Sequence, residues 1–183
     1  MDDTLEIEPL IAHGKGSSNI IRQFTDETII LPGDAEMSDL GKKLRLHHIG
    51  IVAVDEAQID EFKRILGLEE EARETIEKYH VTNVFLKCAG ETKLHFMIPH
   101  KGVLKNFNQG RGGFHHVAFC AKDITEAQKE LEDKGIRFIA SEKQKGIGNF
   151  QFNFALPNIA GLNVELIDDP EVDWAERYPD KKQ

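Results

Sequence analysis

One histidine-rich phrase occurs twice in this chain. Residues 112–119 read Gly-Gly-Phe-His-His-Val-Ala-Phe and residues 46–51 read Leu-His-His-Ile-Gly-Ile. Each copy thus runs apolar residue, histidine pair, β-branched residue, small residue, apolar residue. His48 and His116 stand 68 residues apart. So do the aspartates that follow, Asp55 and Asp123, and the glycines that close the next amphipathic run, Gly67 and Gly135. Three features in one register mark a duplicated supersecondary unit, which limits the fold to two similar halves sharing one core.

The chain has 183 residues, 40% of them hydrophobic, enough for one compact domain with a substantial core. A formal net charge of -9 argues against nucleic acid and against an anionic membrane, since both need a basic face. A small anionic substrate can still bind at a local cationic site such as a metal. Cys88 and Cys120 are the only cysteines; two are no disulfide framework, and reducing cytoplasm is the simplest compartment. The start, Met1-Asp2-Asp3, has no apolar core of a signal peptide, and nothing approaches a membrane span.

In the first copy, residues 46–54 read as a strand. Asp55 opens a helix with Ile59, Phe62, Ile65 and Leu66 at helical spacing, and Gly67 stops it. Residues 81–86 and 92–98 follow as strands, the second ended by Pro99. In the second copy, residues 114–121 form a strand, and a helix runs from Asp123 through Ile124, Ala127 and Leu131 to Gly135. Strands near 136–140, 150–156 and 162–167 complete it. The expected class is α+β, with a βαβββ unit in each half. Glu69-Glu70-Glu71 reads as a solvated charge run, and residues 102–113 as a polar, glycine-rich linker. Residues 1–43 lie outside the repeat as an N-terminal extension, strand-like at Glu27–Leu31 before Pro32-Gly33. The main domain spans 44–169, with modules 46–101 and 112–168. A charged tail, 170–183, carries Trp174 and Tyr178.

Side chains two apart on a strand share a face. His48, Gly50 and Val52 therefore belong to one side and His47, Ile49 and Ile51 to the other, with His116, Ala118 and Cys120 set against His115, Val117 and Phe119. Gly50 and Ala118 leave room beside one histidine of each pair. His95 and Glu165 sit mid-strand between apolar neighbours, where an unpaired ionisable side chain is costly.

These patterns, with Glu-Thr-Lys-Leu-His-Phe-Met-Ile-Pro at 91–99 and Gly-Leu-Asn-Val-Glu-Leu at 161–166, resemble the vicinal oxygen chelate superfamily. The similarity is to its methylmalonyl-CoA epimerase and bacterial glyoxalase I branches, over roughly residues 46–168. The resemblance implies paired βαβββ modules that cup one divalent metal, with ligands on the first and last strand of each module. Those positions are His48, His95, His116 and Glu165. Imidazoles with one carboxylate suit Zn, Co, Ni, Mn or Fe, and an ion between the modules is an object both can share. His47 and His115 then serve as structural residues or fix their neighbours by hydrogen bonding.

The sequence departs from the resembled family at three places. His95 stands where epimerases carry Gln or Glu and glyoxalases Glu. Asn83 stands at the epimerases' second carboxylate base, and asparagine cannot exchange protons. Residues 149–161 lack the epimerases' His-Pro-Lys signature. His80, just before the strand bearing Asn83, is the expected substitute base, with Tyr79 beside it; His13 and His100 read as surface or loop residues. Gly146-Ile147-Gly148 lacks the strand–turn–helix setting of a dinucleotide loop and in the resembled family lies at the mouth of the cup. Three functions follow as expectations. The first is a metal-dependent isomerase, epimerase or lyase that stabilises an enolate of a small carbonyl, carboxylate or acyl-CoA substrate, with Glu165 moving the proton. The second is an Fe(II) extradiol-type dioxygenase, which His95 disfavours. The third is a non-catalytic ligand-binding member. The expected partners are a small anionic or dicarbonyl molecule and a second copy of the chain, as a homodimer.

Overall fold

The computed structural model describes residues 39–148, 150–156 and 158–168. The expectations for residues 1–38 and for the tail from 169 onward, His13, Trp174 and Tyr178 included, lie outside the described residues. The last part of the expected extension, Asp39–Lys42, makes a 3-10 turn and buries Leu40.

The first half runs β1 (Leu44–Val52), α1 (Glu56–Leu66), β2 (Glu69–Ile76), β3 (Val81–Lys87) and β4 (Lys93–Pro99). The second runs β5 (Gly113–Ala121), α2 (Ile124–Glu132), β6 (Arg137–Phe138), β7 (Gln144–Lys145), β8 (Gln151–Leu156) and β9 (Val164–Asp168). The strands make one mixed, unclosed sheet in the order β2-β3-β4-β1-β5-β9-β8-β6, with β7 on β8. This is the expected α+β class.

The helix limits follow from local chemistry. Asp55 caps α1 by accepting from the Gln58 N–H at 3.1 Å, and Asp123 caps α2 by accepting from Thr125 N–H at 2.8 Å and Glu126 N–H at 3.2 Å. Gly67 ends α1 at φ 66°, a left-handed conformation that glycine adopts without steric cost. Each helix covers the convex side of its own half. Ile59 and Phe62 of α1 pack with Val84, Leu86 and Phe96, while Ile124 and Ala127 of α2 pack with Ala121 and Leu166. Asn83, Phe85 and His95 are left for the concave side of the first half, and Glu165 and Ile167 for that of the second.

Strand pairing carries the duplication through. β1 runs parallel to β4 with Gly50 beside His95, and β5 runs parallel to β9 with Ala118 beside Glu165. The halves meet where β1 and β5 pair antiparallel, placing His48 opposite Ala118 and Gly50 opposite His116. A twofold relation therefore exchanges His48 with His116 and His95 with Glu165.

Three expectations are corrected. Glu69-Glu70-Glu71 is not only a charge run but the start of β2, the edge strand of the sheet; polar side chains on both of its faces hide the two-residue period. The linker holds a kinked 3-10 segment, Val103–Gly110, whose Leu104 and Phe107 pack against Val52, Val81 and Met97. Of 136–140, only Arg137–Phe138 pairs as a strand.

Candidate metal centre

The two histidine pairs depart from simple alternation. The β1–β5 register slips between Leu46 and His48, and again between Gly50 and Ile51, where the partner residues are His116 and Phe114. The extra residue at the first slip is His47 and at the second His115. Each is a β-bulge, which leaves one residue unpaired and re-aims its side chain. Neither first histidine turns toward a helix, as strict alternation required. His47 packs its ring near Phe85 and Phe150, with centroids 6.2 and 5.1 Å away, and His115 lies against Phe107 and Phe154. All four histidines of the pairs therefore belong to the concave side, and no property of the sequence other than the repeat itself announces the bulges.

At the centre of the cup His48, His95 and His116, all buried, bring ligand atoms within 4.8 Å of one another and could hold a metal ion. His48 Nε2 lies 3.0 Å from His116 Nε2 and 3.3 Å from His95 Nδ1. Glu165 Oε2 is 3.0 Å from His48 Nε2 and 3.2 Å from His116 Nε2. Donors bound to one ion at about 2.0–2.1 Å stand about 2.9–3.4 Å apart, and these four separations fall in that range. Despite the short distances, Glu165 Oε2 is buried with no hydrogen-bond partner among the described residues. The neighbouring ring nitrogens converge on it without the alignment of an N–H donor. Each of these ring nitrogens offers a lone pair when its proton sits on the ring's other nitrogen, and three such imidazoles with one carboxylate are a donor set that fits a divalent ion.

The far side of each ring is held. His48 Nδ1 lies 2.9 Å from His47 Nδ1 and His116 Nδ1 2.8 Å from His115 Nδ1. His95 Nε2 lies 2.9 Å from Asn83 Oδ1, and its ring stacks on Phe85 with centroids 4.4 Å apart. A neutral imidazole carries one N–H. If the inward nitrogens present lone pairs, that proton sits on the outward nitrogen, where His47, His115 and Asn83 accept it. Asn83, which occupies the position of an expected carboxylate base, is thus a hydrogen-bond partner of His95.

Burial sets the protonation states. It lowers His48 to about 4, against an opposing pull from Glu165, pushes His95 well below its ordinary value, and lowers His115 to about 3. Burial alone raises the Glu165 carboxyl, but His116 and His48 together hold it well below the usual carboxylate range. Near neutral pH the centre therefore holds an anionic Glu165 carboxylate with His48 and His95 neutral, the forms that bind metal.

The centre opens into a cavity of about 200 Å³ with mostly apolar walls. Phe152 and Phe154 of β8 and Phe150 just before it line one side, and Phe85 and Met97 another. Phe150, Phe152 and Phe154 alternate in the sequence, a period-two signal for one aromatic strand face. Gly146 and Ile147 also line the cavity, and Gly148 N–H donates to Glu74 of β2 at 2.6 Å, so this loop does lie over the cup. Tyr79 lines the cavity, and burial raises its phenol. His80 is absent from the lining. It turns through the left-handed region, φ 53°, and its carbonyl accepts from His100 N–H at 2.8 Å. Its chain neighbours Tyr79 and Val81 do line the cavity. Among the described residues, no helix is long and apolar enough to cross a membrane.

Comparison with known proteins finds relatives of the same fold. The chain is 30% identical over 127 residues to the uncharacterized protein YqjC of Bacillus subtilis (strain 168), covering 67% of this chain and 90% of that one. It is 28% identical over 137 residues to the mitochondrial methylmalonyl-CoA epimerase of Mus musculus, covering 72% and 76%. Among solved structures, a variant of Streptomyces coelicolor methylmalonyl-CoA epimerase in complex with 2-nitronate-propionyl-CoA superimposes with a TM-score of 0.64 at 26% identity, covering 69% of this chain and 97% of that one. The family model of the Glyoxalase/Bleomycin resistance protein/Dioxygenase superfamily matches residues 47–154. The chain belongs to that superfamily.

Proposed function

We propose that this protein is a divalent-metal-dependent isomerase, epimerase or lyase, with His48, His95, His116 and Glu165 as the metal ligands. The observation that carries the reading is the meeting of three buried imidazole nitrogens and one buried carboxylate oxygen at the floor of an apolar cavity. The mouse and Streptomyces relatives, both named methylmalonyl-CoA epimerase, support it and suggest a small carbonyl, carboxylate or acyl-CoA substrate. A bound ion supplies Lewis-acid polarisation of the substrate's oxygens and so eases formation of an enolate.

The chain's own groups do the rest. The apolar walls exclude water and strengthen every charge interaction on the floor. Glu165, ionised near neutrality, takes the α-proton through its carboxylate. Return of a proton on the opposite face needs a second group, which Asn83 cannot be. Tyr79, on the wall and kept protonated by burial, is the ionisable side chain of the lining that stands apart from the histidine–glutamate cluster. With Tyr79 returning the proton the reaction is an epimerisation; with Glu165 alone it is an isomerisation or an elimination. In this reading the enzyme works as a cytoplasmic homodimer. Asn83 also favours a second reading, a binding protein that kept the cup without the chemistry.

The test is to load the protein with Zn, Co, Ni, Mn or Fe, measure the stoichiometry, and follow solvent deuterium exchange into 2-substituted acyl thioesters. One ion per chain and exchange abolished by chelation are expected, with both lost in Glu165→Gln. Metal without exchange or turnover across the panel favours the binding protein. Oxygen uptake with iron favours a dioxygenase, and failure to bind any ion sinks the proposal.

A further inference from the structure

The walls of the cup limit what the substrate carries beyond the oxygens at its floor. Among the described residues lining the cavity there is no lysine and no arginine, and Glu165 is the only carboxylate. The polar lining groups, His48, His95, His116, Glu165, Asn83 and His115, form the connected floor already described. Above it the lining is aromatic and aliphatic, with Tyr79 supplying a single hydroxyl. Phe85 and Phe154 lie opposite His95 and Glu165 in the strand register, so rings flank the floor on both sides.

We infer that the part of the substrate seated in the cup beyond the chelating oxygens is apolar, branched or aromatic, and carries no second charge. This rests on the proposed function for the head of the molecule, while the tail preference rests on the walls alone. Two physical arguments lead to it. A second carboxylate would be buried against phenylalanine with no cation to pair it, and an unpaired buried charge is costly. A dry cavity of about 150 Å³ lined by Leu, Ile and Phe accepts a benzene ring, so about 200 Å³ has room for a phenyl or branched alkyl group. Each methylene buried there strengthens binding by about fourfold.

Five 2-oxo acids with one head test this. 2-Oxobutanoate, 4-methyl-2-oxopentanoate and 3-phenyl-2-oxopropanoate have apolar tails; 2-oxobutanedioate and 2-oxopentanedioate carry a second carboxylate. Binding is measured by calorimetry on the zinc-loaded protein and by saturation-transfer NMR at millimolar concentration on the metal-free protein. The expected order is phenyl and isobutyl tails at least about 30-fold tighter than either diacid on the zinc-loaded protein, with tail protons showing the strongest transfer on the metal-free protein. Ile139 lines the mouth and is 43% exposed, so Ile139→Arg can be made without emptying the core. That variant is expected to narrow the gap by at least tenfold by supplying the missing cation. Diacids binding as tightly as the apolar acids, indifference to tail size, or no transfer from any tail overturns the inference. Failure to bind zinc overturns the reading of the floor and leaves the tail-proton transfer in the metal-free protein to judge the walls.

Discussion

Asn83 shows how one side chain can be misread from its type alone. An amide at the position of an expected base looks like a loss of function, yet its oxygen lies 2.9 Å from His95 Nε2 and fixes which nitrogen of that ring faces the centre. Partners of this kind typically contribute 10–100-fold to metal affinity. Asn83→Leu is accordingly expected to weaken zinc binding by about that factor in competition with a chromophoric chelator, whereas Asn83→Asp, which keeps an acceptor, holds it. The same contrast applies at the bulged histidine: His115→Asn preserves an acceptor near the Nδ1 position and His115→Leu does not. Equal affinities for the leucine variants and the parent would mean that the outward nitrogens play no part in orienting the rings.

At the scale of elements, the small residues of the repeat are steric requirements of the seam between the halves. A Cβ placed on Gly50 would collide with the ring of His116, because the antiparallel register sets these two residues opposite each other. Gly50→Ala is expected to push that ring off the centre and abolish stoichiometric metal binding while circular dichroism still reports a folded sheet; retained stoichiometry would show that the ring has another place to go. The N-cap of α2 makes a separate case, since Asp123 accepts from two backbone N–H groups. Asp123→Ala should cost about 1 kcal/mol in denaturant unfolding and leave metal affinity untouched. Helix ends such as Asp55, Gly67 and Asp123 were legible because caps act within a few residues of sequence. The resemblance, together with the repeat, also named His48, His95, His116 and Glu165, the four residues that meet on the floor of the cup. The bulges were not legible, because a bulge is a relation between two strands and neither strand writes it alone. β2 was hidden for a similar reason: exposed on nearly every residue, it is a strand because β3 pairs with it, and its charges suit a sheet edge that must not pair further.

Taken as a whole, the molecule places its polar groups where two halves meet and covers them with apolar ones, and the twofold is broken at the strands that close each half. His95 has Asn83 behind it; Glu165, at the equivalent position, faces Phe154 and keeps an oxygen without a hydrogen-bond partner among the described residues. A centre built this way couples folding to pH. Burial lowers His48 to about 4, below the ordinary histidine value near 6.5. Between those two values the unfolded chain binds a proton at His48 that the folded chain does not. Stability of the metal-free protein therefore rises with pH across that window, is fully present above it, and is lost as pH falls toward 4. His95 shifts in the same direction for the same reason. For His48 alone the change is on the order of 3 kcal/mol, or on the order of 10 °C in midpoint for a domain of this size. Thermal unfolding of the metal-free protein from pH 4.5 to 7.5 at constant ionic strength should show that slope, reduced in His48→Gln, which cannot titrate. A slope unchanged by that substitution would assign the acid sensitivity to other groups and would mean that His48 is not held neutral by its burial in the cup.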